Sequence, residues 1–377
     1  MEEKNKKEEN IDNNLISLKN TVEEKKEDFI EIKKKEKFDI LDALKLVSPG
    51  TPLRRGIDDI VLGRRGALIV IASSNVEEII SGGFKLNCKF TPQRLFELSK
   101  MDGAIILSKD LKKIIYANCL LIPDPKILTE ETGSRHQAAE RTAKQLKTLV
   151  IAISERKSSI TLYYNNLKYS LRDTRDILNK SLEKLQILEK QKEIYNNLLL
   201  NLNKLEITSL VSINDVSSLL QRIEIILRIS NMMKKDIVEL GNEGILLKIR
   251  MKELIKEVDK IKKLIIQDYC QEKNKKYNKE ISKLNFDNLL ETSRIIEIYF
   301  PNTKEEYIKP KGYRLLDKLD FPKEDIKMII EHFDNLDSII NSNPKELEKI
   351  LKNPEKVNNF LKELSELKEN IMLEKIF

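Results

Sequence analysis

Glycine and proline are distributed very unevenly along this chain of 377 residues, and their distribution constrains the possible folds more than any other feature. Eight of the eleven glycines lie before residue 134, and no proline occurs between Pro125 and Pro301. A domain with strands needs the turns that these two residues form, whereas long helices avoid both of them. The sequence therefore predicts a turn-rich, strand-containing domain, followed from about residue 170 by a long helical region.

The first 37 residues differ in composition from the rest of the chain. They contain ten lysines, eleven acidic residues and few apolar ones, which is typical of a solvated extension that is disordered or weakly helical. The first nine residues carry seven charges, which does not fit a signal peptide. No run approaches the ~18 uncharged apolar residues that a membrane span needs, so we predict no membrane partner.

Charge and cysteine usage bear on the partners and the compartment. The chain has 68 Lys and Arg residues against 61 Asp and Glu, a net charge of +7. This excess is mild and does not by itself indicate nucleic acid. The three cysteines are widely spaced, which fits a reducing compartment and no disulfide framework. We therefore predict a cytoplasmic protein.

Residues 38–170 alternate short apolar runs with segments of helical character. The continuous apolar runs predict strands that are buried on both faces. The predicted strands are 66–72, 104–107, 113–121, 149–153 and 160–164, and the predicted helices are 91–101 and 134–148. Because hairpins interrupt the alternation, we expect a mixed α/β domain and not a simple doubly wound sheet.

Residues 171–309 follow helical spacing, with apolar residues every three or four positions between Lys, Glu and Gln. Three helices are predicted there, of which the second ends near Gly241 and the third runs from Ile245 toward Cys270. Prolines divide residues 310–377 into short helices. The predicted fold class is thus α+β, with an N-terminal mixed α/β domain, a central all-helical spine and a small C-terminal helical domain.

The two histidines of the chain have different surroundings. His332 lies in a charged helical stretch without a partner motif, which is typical of a surface residue. His136 follows Ser134 and Arg135 at the start of a predicted helix, where backbone N–H groups favour phosphate and Arg can add two hydrogen bonds. The pattern indicates a phosphate site, although Ser134 and Gln137 also fit a capping box that needs no ligand.

Asp102-Gly103 is a second candidate, directly before the predicted strand 104–107. A carboxylate at a strand edge could hold a divalent cation on a triphosphate. Asp-Gly is also a common turn, so these two residues alone leave both interpretations open. The sequence contains no Walker A loop, dinucleotide fingerprint, zinc-ligand spacing or Ser-His-Asp signature that would indicate a competing site.

Several segments of the chain resemble the diadenylate cyclase family. They contain the motifs Asp102-Gly103-Ala104 and Ser134-Arg135-His136, and they span 100–108, 116–118, 123–125, 131–141 and 149–163. Two such motifs in one domain are highly specific. The resemblance extends over residues 38–377, because a helical spine and the segment 311–316 follow in the order found in one branch of the family.

The resemblance implies that two ATP molecules are condensed to cyclic di-AMP, with release of two pyrophosphates, at a site formed by two facing copies. It implies that Asp102 binds Mg²⁺ or Mn²⁺ and helps to deprotonate the attacking 3′-hydroxyl, and that Arg135 and His136 are catalytic. It also implies a homo-octamer. The residues implied to bind the nucleotide are Gly103, Leu121, Ser134, Arg135, His136, Gln137, Ala138 and Ser154.

Two departures from the family pattern have consequences. The phosphate loop usually reads Thr-Arg-His-Arg-Thr and reads Ser-Arg-His-Gln-Ala here, so Gln137 lacks a charge and Ala138 a hydroxyl, which predicts weaker phosphate affinity. The resemblance also implies that residues 310–377 form a helix-hairpin-helix domain, a module that contacts the DNA backbone through a glycine hairpin. Residues 351–356 contain no glycine, so we predict a degenerate domain that keeps the helical fold. Residues 310–377 carry twelve Lys and Arg against fourteen Asp and Glu, a net charge of −2. We therefore predict that branched DNA is at most a weak partner.

The alternative function is a scaffold that senses DNA structure and uses its nucleotide domain only for regulation. The intact Asp102-Gly103 and Arg135-His136 pairs argue against a regulatory remnant. The acidic tail argues against tight DNA binding. The cyclase is therefore the predicted function.

Overall fold

The computed structural model describes residues 39–270, 274–301 and 307–373. Contacts between residues divide the chain into two compact units. The first contains the described chain up to Asp173 together with Val238–Glu243, and the second contains Thr174–Ile237 and the described chain from Gly244 onward. The predicted N-terminal extension, residues 1–37, lies outside the described residues.

One mixed sheet forms the centre of the first unit. Its strands are β1 (Ala67–Ile71), β2 (Ile80–Ser81), β3 (Phe84–Lys89), β4 (Ala104–Leu107), β5 (Lys113–Leu121), β6 (Leu149–Ile153), β7 (Ile160–Tyr164) and β8 (Leu167–Ser170). The strand order is β2-β5-β4-β1-β6-β7-β8, and β3 also pairs with β5. β1 and β4 are parallel, and the remaining pairs are antiparallel. The mixed α/β domain predicted from the apolar runs is confirmed.

Helices cover both faces of this sheet. They are α1 (Ile40–Val47), α2 (Pro52–Leu62), α3 (Pro92–Leu98) and α4 (Ser134–Leu146). Alternate residues of the central strands face separate apolar cores, so that Ile69 packs in the core of α1–α3 and Val70 in the core of α4. Because these strands are buried on both faces, their sequences are continuous apolar runs.

Two helices of the first unit end earlier than predicted. α3 ends at Leu98 and does not reach Met101. α4 ends at Leu146, because Lys147 adopts a left-handed backbone conformation with φ +50°, which stops an α-helix. Both differences affect helix ends only, where sequence patterns are least informative.

The remainder of the chain is helical. Its helices are α5 (Thr174–Ile207), α6 (Ile213–Leu240), α7 (Ile245–Leu254), α8 (Val258–Tyr269), α9 (Asn274–Ile281), α10 (Phe286–Leu290), α11 (Thr292–Tyr299), α12 (Tyr313–Leu316), α13 (Lys323–His332), α14 (Leu336–Ile340), α15 (Pro344–Leu351) and α16 (Pro354–Met372). The predicted third spine helix is divided into α7 and α8, because Glu257 between them has φ +65°. The C-terminal helices share their own apolar core around Phe360. None of the helices among the described residues has both the length and the apolar character to cross a membrane.

A buried ionic cluster anchors the start of α12. The Arg314 guanidinium is fully buried and donates hydrogen bonds of 2.6 Å to Glu206 and Asn203. The carboxylate of Asp268 accepts the backbone N–H groups of residues 312–314 at 2.6–2.9 Å. The chain thus satisfies this helix start with its own carboxylate, which leaves these N–H groups unavailable to an external anion.

Candidate active site

Three strand ends of the first unit meet at one edge of the sheet. In the parallel pair of β1 and β4, Leu68 lies opposite Ala104, and in the antiparallel pair of β1 and β6, Ala67 lies opposite Ile153. Residues just before β1 and β4 and just after β6 are therefore neighbours at this edge. They are Gly66, Asp102, Gly103 and Ser154.

The Asp102-Gly103 turn places a free carboxylate at this edge. Gly103 has φ +102°, and a Cβ there would come within 2.8–3.0 Å of the β5 backbone at Asn118 and Cys119. Only glycine fits this position. Asp102 is exposed, and its carboxylate makes no hydrogen bond or ion pair with the described residues. The turn therefore accounts for the glycine at position 103, and the carboxylate of Asp102 remains available for a ligand.

The start of α4 is not a capping box. Gly133 is the N-cap residue and no side chain caps the helix. Ser134 is the first helical residue, and the side-chain amide of Gln137 donates to the carbonyl oxygen of Glu131 at 2.8 Å. The capping-box alternative for Ser134 and Gln137 is therefore wrong. The first turn keeps N–H groups without side-chain partners, as a phosphate site needs.

Arg135 reaches from α4 to the same sheet edge. A Cβ on Gly66 would lie 2.0 Å from Nη1 of Arg135 and 2.7 Å from its Cζ, so the guanidinium lies directly over this glycine. Gly66 directly precedes β1, and Asp102 lies two residues before the adjacent parallel strand β4. The structure thus brings a carboxylate and a guanidinium, which are 33 residues apart in sequence, to the starts of two adjacent strands.

His136 opens into a cavity of about 500 Å³ beside this edge. Gly133, His136 and Ser154 contribute to its wall, and the cationic side chains in the wall are Arg156, Lys157 and Lys168. Sequence reasoning missed these three cations. Arg156 and Lys157 lie two and three residues after Ser154 and could have been suspected, whereas Lys168 reaches the cavity from β8 only through the strand pairing. A cavity with this charge suits a polyphosphate.

Burial and neighbouring charges control the ionisation of His136. Burial lowers the pKa of His136, Glu131 opposes this shift, and Arg135, Lys168 and Lys157 add to it. The imidazole is therefore neutral near pH 7, where it can donate or accept a hydrogen bond. Its ring contacts Tyr163 edge-on, with 6.3 Å between ring centroids.

The other residues that the sequence predicts to bind the nucleotide lie partly in the core and partly at the surface. Leu121 is buried, with its side chain in the core beneath α4, so only its backbone can face a ligand. Ala138 packs against the same core. Neither Gln137 nor Ala138 lines the cavity of His136. The exposed residues Gly103 and Ser134 stay accessible at the edge and at the helix start.

Asp102 is the candidate carboxylate for a divalent cation at this edge. Among residues 39–270, 274–301 and 307–373, no three Asp, Glu, His or Cys side chains form a group that could hold a metal ion. Mg²⁺ commonly binds through one or two carboxylates together with substrate phosphates. Asp102, near a cavity whose charge suits a polyphosphate, fits that donor set.

The first unit is a nucleotide-binding α/β domain. Its mixed sheet places a free carboxylate beside a cationic cavity and a helix N-terminus, and a helical region follows it in the chain. Residues 54–167 match the family model described as "DisA bacterial checkpoint controller nucleotide-binding", and residues 171–306 match "DisA bacterial checkpoint controller linker region". The chain is 43% identical to the DNA integrity scanning protein DisA of Acetivibrio thermocellus, over 84% of this chain and 91% of that protein. It is 42% identical to DisA of Bacillus subtilis, over 84% of this chain and 90% of that protein.

The chain belongs to the DisA family. This confirms the resemblance to diadenylate cyclases and to the branch with a helical spine. The match to the linker model begins at residue 171, close to the position at which glycine and proline become rare. The C-terminal helices lie beyond both matched segments.

Proposed function

We propose that the protein is a metal-dependent diadenylate cyclase that condenses two ATP molecules into cyclic di-AMP and two pyrophosphates. The observation that supports this most directly is the sheet edge at which Asp102 precedes β4 and the guanidinium of Arg135 lies over Gly66, the residue before the adjacent strand β1. The cationic cavity of His136 adjoins this edge through Ser154. One triphosphate could contact all of these groups at once.

The chemistry requires alignment and charge neutralisation more than covalent catalysis. Asp102 would hold Mg²⁺ or Mn²⁺ together with phosphate oxygens, and the cation would neutralise charge on the triphosphate. Arg135 and the N–H groups of α4 would stabilise charge that develops on the α-phosphate. Arg156 and Lys157 would hold the pyrophosphate that leaves, because both line the cavity.

The reaction also implies an assembly. One chain offers one such site, whereas the product joins two nucleotides, so two copies must face each other with their ATP molecules in line. Each 3′-hydroxyl would lose its proton with the help of Asp102 and attack the α-phosphorus held by the other copy, which would break the bond from that phosphorus to the leaving pyrophosphate. The homo-octamer implied by the resemblance would supply such pairs.

Incubation of the purified full chain with ATP and Mn²⁺, or with ATP and Mg²⁺, tests this proposal. We expect cyclic di-AMP and pyrophosphate in a ratio of one to two, measured by mass spectrometry and a coupled phosphate assay. Chelation of the metal should stop product formation. Binding of ATP without any cyclic product in either metal would contradict the proposal.

DNA binding is the second candidate function, since the relatives are named DNA integrity scanning proteins. The hairpin between α15 and α16 argues against it. Lys352 has φ +52°, and the Asn353 side chain accepts the backbone N–H groups of Glu355 and Lys356. The ammonium of Lys356 donates to Asp325 at 2.6 Å. Two backbone N–H groups and one ammonium that could otherwise bind a DNA phosphate thus already have partners within the chain.

We therefore expect weak binding of branched DNA by the full chain, with a Kd above about 1 µM at physiological salt and a shallow salt dependence. Asp325→Asn should release Lys356 and steepen the slope of log K against log salt by about one. Asp334→Asn makes the same charge change at an exposed position in the tail and serves as the control. Tight junction binding by the parent chain, measured by fluorescence anisotropy, would reverse this assignment.

A further inference from the structure

Glu131 stands out among the charged groups of the His136 cavity. Arg156, Lys157 and Lys168 are cationic, whereas Glu131 is an acid in a wall that suits a polyphosphate. Its side chain is only 15% exposed. A largely buried carboxylate beside a bound phosphate would repel that phosphate. Glu131 must therefore have a role other than binding the phosphate.

Hydrogen bonds connect Glu131 to three separate elements. The hydroxyl of Tyr163 on β7 donates to Oε1 of Glu131 at 2.7 Å. Lys168 on β8 forms an ion pair with the same carboxylate oxygen. The side-chain amide of Gln137, in the first turn of α4, donates to the backbone carbonyl of Glu131 at 2.8 Å. One residue thus connects the loop, two strands and the helix that carries His136.

The carboxylate stays ionised in this position. Burial opposes ionisation, but the ion pair with Lys168 and the hydrogen bond from Tyr163 outweigh burial and lower the pKa of Glu131. The same carboxylate opposes the lowering of the His136 pKa. Tyr163 is almost fully buried and contacts the His136 ring, so its bond to Glu131 also fixes one wall against which the imidazole rests.

We infer that Glu131 is a positioning residue for His136, which holds the imidazole and Lys168 in the orientation that the proposed cyclase reaction uses. The inference rests on the function proposed above. Glu131 acts through Tyr163, Lys168 and the first turn of α4. The negative charge of its carboxylate also limits how strongly the cavity retains phosphate.

The rest of the loop before α4 is held without Glu131. The hydroxyl of Thr129 donates to Glu140 at 2.5 Å, and Nε of Arg141 donates to the carbonyl of Ile127 at 3.0 Å. Asp124 N donates to the side chain of Gln145 at 2.9 Å. Substitution of Glu131 should therefore disturb the cavity end of the loop and leave the fold intact.

The test compares Glu131→Gln with Glu130→Gln, a matched change at the exposed neighbouring acid. The pKa of His136 is measured without nucleotide, from hydrogen–deuterium exchange at the imidazole C2 position followed by mass spectrometry. The chain has two histidines, so His332 provides an internal reference. We expect Glu131→Gln to lower the pKa of His136, and Glu130→Gln and the His332 signal to remain as in the parent.

Kinetics supply the second readout. Glu131→Gln should lower kcat by about ten- to a hundredfold without raising KM for ATP, because the lost negative charge favours phosphate binding. Tyr163→Phe, which removes one hydrogen bond, should lower kcat less. An unchanged His136 pKa in Glu131→Gln, or an unchanged kcat, would overturn the inference. A parent chain that makes no cyclic product would contradict the proposed function instead, and the exchange measurement would still test the influence of the Glu131 charge on His136.

Discussion

Replacement of Asp102 with Asn should abolish cyclic di-AMP formation, with a loss of about a thousandfold or more. Asn keeps the size and the turn but removes the charge at the sheet edge. Asp102 is exposed and makes no hydrogen bond or ion pair among the described residues, so its substitution should not disturb folding. The loss should come from the reaction itself, measured as product formed under saturating ATP and Mn²⁺.

Asp59→Asn is the matched control, because Asp59 is an exposed carboxylate on α2 in the same unit. It should retain the parent activity. The oligomeric state and the thermal unfolding temperature of Asp102→Asn should equal those of the parent, measured by light scattering and calorimetry. Parent-level activity in Asp102→Asn would refute the assignment of the metal to this carboxylate.

The local motifs were predictable because their physical signals lie within a few residues. Continuous apolar runs revealed β1, β4, β6 and β7, since a strand buried on both faces needs apolar residues at every position. The Asp102-Gly103 turn and the start of α4 were predictable for the same reason. Which residues lie next to each motif in space depends on strand pairing, and short stretches of sequence do not show how strands pair.

The errors and omissions follow from the same limit. The capping-box interpretation is wrong because Gly133, and not Ser134, has the extended backbone of an N-cap residue. The sequence does not decide between these two residues, since glycine and serine are both common at the N-cap position. The prediction that Leu121 lines the nucleotide can hold only for its backbone, because the alternation of β5 turns its side chain into the core beneath α4. Lys168 and Glu131 could not be connected to His136 without the register of β7 and β8.

Gly66 is the residue whose role sequence reasoning missed most completely. Because it precedes an apolar run, the sequence predicts it as part of the strand 66–72. The structure shows that its missing side chain makes room for the guanidinium of Arg135. The contact joins residues from different elements, so neither position alone suggests it.

Gly66→Ala should lower activity about a hundredfold, because the new methyl group would occupy the place of the Arg135 guanidinium and a displacement of about 1 Å can cost that much. Gly66 is not among the residues with a positive φ, so alanine fits the backbone. The atoms that it meets belong to the end of a flexible side chain, which can move away. The fold should therefore survive, with little change in the thermal unfolding temperature.

A double-mutant cycle separates displacement of Arg135 from general damage. If Gly66→Ala acts only by moving the guanidinium, Arg135→Ala should cause a similar loss of kcat/KM, and the double variant should be no worse than Arg135→Ala alone. Two independent losses that multiply in the double variant would show that Gly66 matters for another reason. A fully active Gly66→Ala protein would show that the guanidinium contributes to the reaction from another position. Arg135 would then have to reach the phosphate without its contact with Gly66 before β1.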